Sequence, residues 1–255
     1  RLLAKGAVMG DSFGLETALW FAKNPKDAHE EPTFKRSRSH NYVAEEVKAV
    51  RNSVGATEIA NFAKHEFTGK GARKFLDYIL AGTIPKPGRI ILTPMLTPKG
   101  KLYGDLTVAC LHEERFMIFG SGAAQEMHRR WFEKFLPKSD VIYKNRSDDF
   151  HGIAISGPNS RKLLSKICRD DLSDEMFKFR DTKETFVGGV PAILNRISFS
   201  GELGYEIYVA PHFHLKLYVE IMEAGKEFNI KPFGGRALMS MRLEKNWGAW
   251  TLDYR

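Results

Sequence analysis

Two stretches of the chain decide its fold: His65-Glu-Phe-Thr-Gly-Lys-Gly-Ala-Arg-Lys-Phe-Leu-Asp-Tyr-Ile-Leu80 and Ile153-Ala-Ile-Ser-Gly-Pro-Asn-Ser-Arg-Lys-Leu-Leu-Ser-Lys-Ile-Cys168. Each reads as a short strand, a Thr-Gly or Ser-Gly turn, an Arg-Lys pair and an apolar stripe at helical spacing. The hydroxyls of Thr68 and Ser156 stand where a helix cap would stand, and Pro158 suits a first helical position. A repeat this widely spaced is too long for a solenoid and predicts two sibling subdomains.

Outward from the repeat, apolar alternation predicts strands over 101–109, 115–119, 185–198 and 205–209. Helical periodicity covers 42–52, 124–135 and 212–228, the last followed by Pro232 and the Gly234-Gly235 break. Strands in hairpin-like pairs with helices between them define an α+β chain with mostly antiparallel sheets flanked by helices. The expected division is residues 1–60 with 146–246 for one subdomain and 61–145 with 247–255 for the other.

The 255 residues, 43% of them hydrophobic, suffice for two cores. No stretch has the apolar length of a membrane span and no leader precedes a cleavage site, so no membrane partner is expected. Cys110 and Cys168 stand apart with no CxxC, which disfavours a disulfide framework or a zinc site and fits a reducing compartment. The expected location is the cytoplasm, or the mitochondrial matrix in a eukaryote. A formal charge of +8 admits nucleic acid, a membrane surface or an anionic small molecule. The densest cationic run, Lys35-Arg36-Ser37-Arg38, is short, and the other cations are scattered, so no nucleic-acid partner is expected. The chain opens on Arg1 and closes on Arg255 with no polar tail, as a part of something longer would.

Chemical candidates are few. Gly120-Ser-Gly122-Ala-Ala-Gln125 follows a predicted strand, with Asp140 beyond it, but the third Gly of a dinucleotide fingerprint is Gln125 and the upstream strand is a hairpin partner. Gly69-Lys70-Gly71 lacks the ending of a phosphate loop. Both read as structural turns. Two isolated strand carboxylates remain, Asp105 and Glu206. Each is either solvated or held in a pocket that tunes its pKa, and the adjacent Gly104 and Gly204 mark close approach of another group.

Four motifs resemble the aminomethyltransferase (glycine cleavage T-protein) family, in that family's order: Val54-Gly-Ala-Thr-Glu-Ile-Ala-Asn-Phe62, Thr93-Pro-Met-Leu-Thr-Pro-Lys-Gly-Lys-Leu-Tyr-Gly-Asp-Leu-Thr-Val108, Arg196-Ile-Ser-Phe-Ser-Gly-Glu-Leu-Gly-Tyr-Glu206 and Met241-Arg-Leu-Glu-Lys245. The segment 13–22, the Thr-Pro pairs at Thr93 and Thr97, Gly120-Ser-Gly122 and the Glu-Lys-x-Trp of Glu244 to Trp247 are similar to the folate-binding half of dimethylglycine dehydrogenase-like enzymes. The resemblance implies the family's folate-binding fold without its C-terminal β-barrel-like domain. It further implies capture of a one-carbon unit from an N-methyl amine on tetrahydrofolate, with FAD in a preceding oxidase domain or subunit. A free-standing aminomethyl- or methyltransferase and a non-catalytic folate-binding module are the alternatives.

By the same resemblance Asp105 is the catalytic acid-base group and Glu206 the carboxylate that accepts from the aminopyrimidine edge of a pterin. Phe199, Asn61, Leu92 and Arg236 complete the expected cofactor-binding set, with no metal. Phe199 stands where the family usually has Tyr, so stacking persists without a hydroxyl. The family's Ala-Arg-Asp is absent, and Arg236 is the residue that could replace its Arg. Arg242 and Glu244 read as support for the fold.

Overall fold

The computed structural model describes residues 1–12, 14–250 and 252–254. Phe13, which opens one of the motifs, and Arg255 lie outside the described residues. In chain order the elements are β1 (Ala7–Ser12), β2 (Leu15–Phe21), α1 (His40–Asn52), β3 (Gly55–Glu58), β4 (Ala63–Thr68), α2 (Ala72–Ile79), β5 (Arg89–Leu96), β6 (Leu102–His112), β7 (Arg115–Gly120), α3 (Gln125–Phe135), β8 (Ile142–Asn145) and β9 (His151–Ser156). There follow α4 (Ser160–Leu164), β10 (Thr182–Val187), β11 (Val190–Asn195), β12 (Gly204–Val209), α5 (Pro211–Ala224), β13 (Lys231–Pro232) and α6 (Gly235–Glu244).

The sequence repeat is a topological repeat. The first unit runs β4, α2, then a β5-β6-β7 meander that returns β7 beside β4; the second runs β9, α4, then β10-β11-β12 with β12 beside β9. The resulting sheets are β5-β6-β7-β4-β8 and β10-β11-β12-β9-β3-β13, antiparallel except for the short β13–β3 pair. The turns of the two units match in detail. Gly69 and Gly157 both take positive φ, at +111° and +131°, and a Cβ on either would fall 2.4 or 2.3 Å from the Asp140 or Ser53 carbonyl oxygen. Only glycine meets both demands.

Period-2 alternation sorts each strand's residues between two cores. On the five-stranded sheet, Leu106, Val108, Cys110, Phe116 and Ile118 pack under Phe75 and Leu76 of α2 and Phe132 of α3. On the six-stranded sheet, Tyr205, Ile207 and Val209 pack under Leu163 of α4 and Leu217 and Ile221 of α5. The alternate residues, among them Ile90, Ala109, Met117, Phe119, Ile193 and Tyr208, form a third cluster that joins the sheets face to face. The layers are therefore helix, sheet, sheet, helix. Arg115 also crosses between the sheets, pairing with Glu66 on β4 and Glu184 on β10, both at 2.8 Å.

The hairpin β1–β2 packs against α1 and α6, with Trp20 fully buried. Glu46 of α1 ties this corner together: its carboxylate accepts from Phe21 N at 2.7 Å and from Gly234 N, at the start of α6, at 2.9 Å. Burial pushes that carboxyl up to about 7, against the pull of the two N–H donors.

Three local expectations change. The strand over 185–198 is a hairpin, β10 and β11, reversed at Gly188-Gly189, which take positive φ of 60° and 74°. The Gly-Gly pair itself signals such a turn, and reading the apolar alternation on either side of it as one strand overlooks it. Thr68 and Ser156 end strands instead of capping helices; the N-caps are Gly71 and Asn159, neither with a side-chain cap bond, so Pro158 precedes the cap. The helix over 212–228 stops at Ala224 and gives way to a 3-10 turn over Lys226–Phe228. Among the described residues no helix is long and apolar enough to cross a membrane.

Candidate functional site

Asp105 lies on β6, opposite Pro94 of β5. Two residues on, Thr107 pairs with Leu92 on one side and Phe119 of β7 on the other. Asp105 thus shares its strand face with Thr107 and Ala109, the face turned toward the second sheet. It is half-buried, and burial pushes its carboxyl above the ordinary range. Among the described residues no hydrogen bond or ion pair reaches it.

Glu206 lies on β12, opposite Asn195 of β11 and Ala154 of β9. Its strand face is that of Tyr208, so it too looks into the space between the sheets. It retains 9% exposure, and burial pushes its carboxyl up to about 7. The Tyr208 hydroxyl donates to Glu206 Oε2 at 2.8 Å. The Tyr208 ring is stacked on Phe119 of the other sheet, with centroids 4.3 Å apart and planes at 23°. A continuous path of neighbours therefore joins the acids: Asp105, Thr107, Phe119, Tyr208, Glu206.

Leu92 belongs to this interior. Asn61 occupies the crossover from β3 to β4, half-buried, its carbonyl so close to Gly122 that a Cβ there would lie 1.9 Å from the oxygen. The Gly120–Gln125 turn is thus a tight strand-to-helix link packed on the crossover, as its sequence suggests. Phe199 is half-buried in the β11–β12 connection that leads into Glu206. Arg236 is not brought to this interior. At the start of α6 it donates to Ser39 Oγ at 2.5 Å and pairs with Glu30 at 2.5 Å, joining α6 to the segment before α1. Arg242 is buried and donates to the Trp247 carbonyl at 3.0 Å, a supporting role.

Sequence reading passed over Tyr208 and Lys64. Lys64, fully buried on β4 beside Phe119, donates from Nζ to the Ala60 carbonyl at 2.7 Å and the Ser147 carbonyl at 3.3 Å, so it holds both chain crossings between the sheets. Burial pushes its ammonium down to about 8, opposed by the Asp148 charge. For Tyr208 the signal was available: it stands two residues after Glu206, on the same strand face.

The fold and site define a two-sheet α+β domain of duplicated topology with two partly or fully buried carboxylates facing its interior. The GCVT N-terminal domain family matches residues 1–255, and the chain belongs to that family. Mitochondrial dimethylglycine dehydrogenase of Homo sapiens is 38% identical over 248 residues, 96% of this chain and 28% of that protein. An aminomethyltransferase of Halothermothrix orenii is 30% identical over 214 residues, 83% of this chain and 59% of that protein. The crystal structure of the glycine cleavage system aminomethyltransferase T from Bartonella henselae superposes with a TM-score of 0.80 at 19% identity, covering 97% of this chain and 61% of that one. The chain is thus an aminomethyltransferase-type domain, spanning under a third of the human relative and about three fifths of the bacterial one.

Proposed function

We propose that this domain binds tetrahydrofolate between its sheets and transfers a one-carbon unit from an N-methyl amine such as dimethylglycine to form 5,10-methylenetetrahydrofolate, as part of an FAD-dependent dehydrogenase. The observation that carries the reading is the presence of two inward carboxylates on facing sheets, one bonded among the described residues by Tyr208 alone and the other by none of them. The residues present suit such a ligand. Glu206 Oε1 has no protein partner among the described residues, and a carboxylate so placed accepts from paired N–H donors on a planar edge. Leu92 and Phe199 supply apolar surface, and Asn61 lies on the crossover beside the interior.

Bound tetrahydrofolate would supply the nitrogens that take up the carbon. Of the two protons lost from those nitrogens, one would leave with the released amine, and Asp105 would accept the other. Burial of Asp105 suits it to this work, because a raised pKa makes a stronger base. The dehydrogenase context is supported by the similarity to human dimethylglycine dehydrogenase; the FAD that the sequence resemblance implies would lie outside this domain.

Isothermal titration with tetrahydrofolate tests binding, and absence of heat from folded protein sinks the reading. For transfer, Asp105→Asn is expected to lower methylenetetrahydrofolate formation by about a hundredfold or more while leaving affinity near the parent's. Unchanged turnover would remove Asp105 from the chemistry.

A further inference from the structure

We propose that Tyr208 is the positioning residue of the site, fixing the Glu206 carboxylate so that one oxygen is committed to the protein and the other is presented to the ligand. The proposal rests on the folate reading of the same interior. Tyr208 is fully buried and its hydroxyl donates to Glu206 Oε2 at 2.8 Å, while no protein donor reaches Oε1 among the described residues. The ring is held from two sides. Phe119 stacks on it from the opposite sheet at 4.3 Å. On β9, Gly152 lies directly across from it, and a Cβ there would come within 2.7 Å of Tyr208 Cε1. A glycine on the neighbouring strand thus gives the ring its place, and Phe119, paired across its own sheet with Thr107, ties that place to the strand of Asp105. Among the described residues the Tyr208 hydroxyl is the single hydrogen-bond donor on Glu206, so its loss frees the carboxyl to rotate and to take up a proton.

That second effect decides recognition. An ionised carboxylate accepts from a donor edge; a protonated one offers a donor of its own and meets that edge badly. The O–H bond from Tyr208 favours the ionised form, whereas burial disfavours it. The strands flanking Glu206 bring no charge, with Asn195 on one side and Ala154 on the other. From the facing sheet the ionisable groups turned to the same interior are Asp105, Lys64 and the Glu66–Arg115–Arg146 cluster. None of these is altered when the Tyr208 hydroxyl alone is removed.

Tyr208→Phe keeps the stacked ring and deletes only that hydroxyl. In titrations of the full chain with tetrahydrofolate across pH 6 to 9, the variant is expected to bind about tenfold more weakly near neutrality, the scale of one hydrogen bond to a charged group, and to approach the parent at pH 9. Glu206→Gln is expected to bind weakly at every pH. Equal affinity at pH 7 would overturn the positioning role, and a loss that stays constant with pH would overturn the part of it that acts through the charge of Glu206. If the parent itself shows no binding, the folate reading fails, and Tyr208 is then judged without ligand from thermal melts of Glu206→Gln made in parent and Tyr208→Phe backgrounds. The stability gain from Glu206→Gln should level off at a higher pH in the Phe background; coincident curves would overturn the hold of Tyr208 on Glu206.

Discussion

Glu206→Gln carries a thermodynamic signature that needs no ligand. Gln is nearly isosteric, keeps an acceptor for the Tyr208 hydroxyl and cannot ionise. The carboxyl has 9% exposure and is pushed by burial from 4.5 to about 7. Because its folded value lies above its unfolded one, the native state holds the proton more tightly. Glu206 therefore costs nothing by ionisation below about 4.5, destabilises progressively as pH rises through the interval to about 7, and exacts a constant cost above it. The interval from 4.5 to about 7, at about 1.4 kcal/mol for each pH unit, makes that cost roughly 3 kcal/mol. For a chain of this size 1 kcal/mol moves the melting temperature by about 2–4 °C, so Glu206→Gln should melt roughly 6–12 °C above the parent at pH 9. At pH 5 the gain should shrink to a small fraction of that. Differential scanning calorimetry of the two proteins at both pH values measures the comparison, and general pH effects cancel in the difference. A gap that does not change with pH, or a parent that is the more stable at pH 9, refutes the argument that burial holds this carboxyl protonated.

Gly234→Ala should lower the urea-unfolding free energy by about 1–3 kcal/mol through overpacking, because the new methyl would lie 2.3 Å from the Leu19 carbonyl; an unchanged midpoint counts against that packing. Glu66→Ala should cost about 1–2 kcal/mol in the same assay, since it removes the buried carboxylate that bridges Arg115 and Arg146 at 2.8 and 2.9 Å and leaves them only Glu184 and Asp149; a loss within error would show the cluster to be solvated. Gly152→Ala should weaken tetrahydrofolate binding together with stability, because its methyl would fall 2.7 Å from the Tyr208 ring; binding untouched by a destabilised variant would uncouple ring placement from the site.

The fold was legible where the pattern was local and repeated. The matched segments 65–80 and 153–168 each gave a central strand and the helix covering it, because the Gly-centred turn and the apolar stripe are both short-range demands. The hairpin at Gly188-Gly189 was also legible, since a Gly-Gly pair between apolar alternating residues signals a two-residue turn, and reading 185–198 as one strand overlooks it. The corner built from β1, β2, α1 and α6 was hidden. Its contacts, such as Glu46 with Gly234, span 188 residues and leave no periodic trace. At the site, alternation could place Asp105 and Glu206 on strand faces. Only the packing of sheet on sheet through Phe119 and Tyr208 brings those faces together. Arg236 shows the converse limit: a cation near the right motif is claimed instead by Glu30 and Ser39.

Two buried carboxyls in this chain are pushed to about 7, and comparing them separates support from function. Glu46 accepts from two backbone N–H groups on β2 and at the start of α6, so its burial is offset by joining three elements. A residue of that kind explains itself by the fold. Among the described residues Glu206 has no backbone donor and one partner in all. Its one partner, Tyr208, lies on its own strand, so the bond joins no two elements and could not compensate for the desolvation. An apolar side chain at 206 would serve the packing between the sheets at least as well, given the apolar neighbours on that face. A carboxyl kept there at a stability cost is expected to be repaid by a ligand whose donors complete its hydrogen bonding. Asp105, inward and without a hydrogen-bond partner among the described residues, fits the same logic from the opposite sheet.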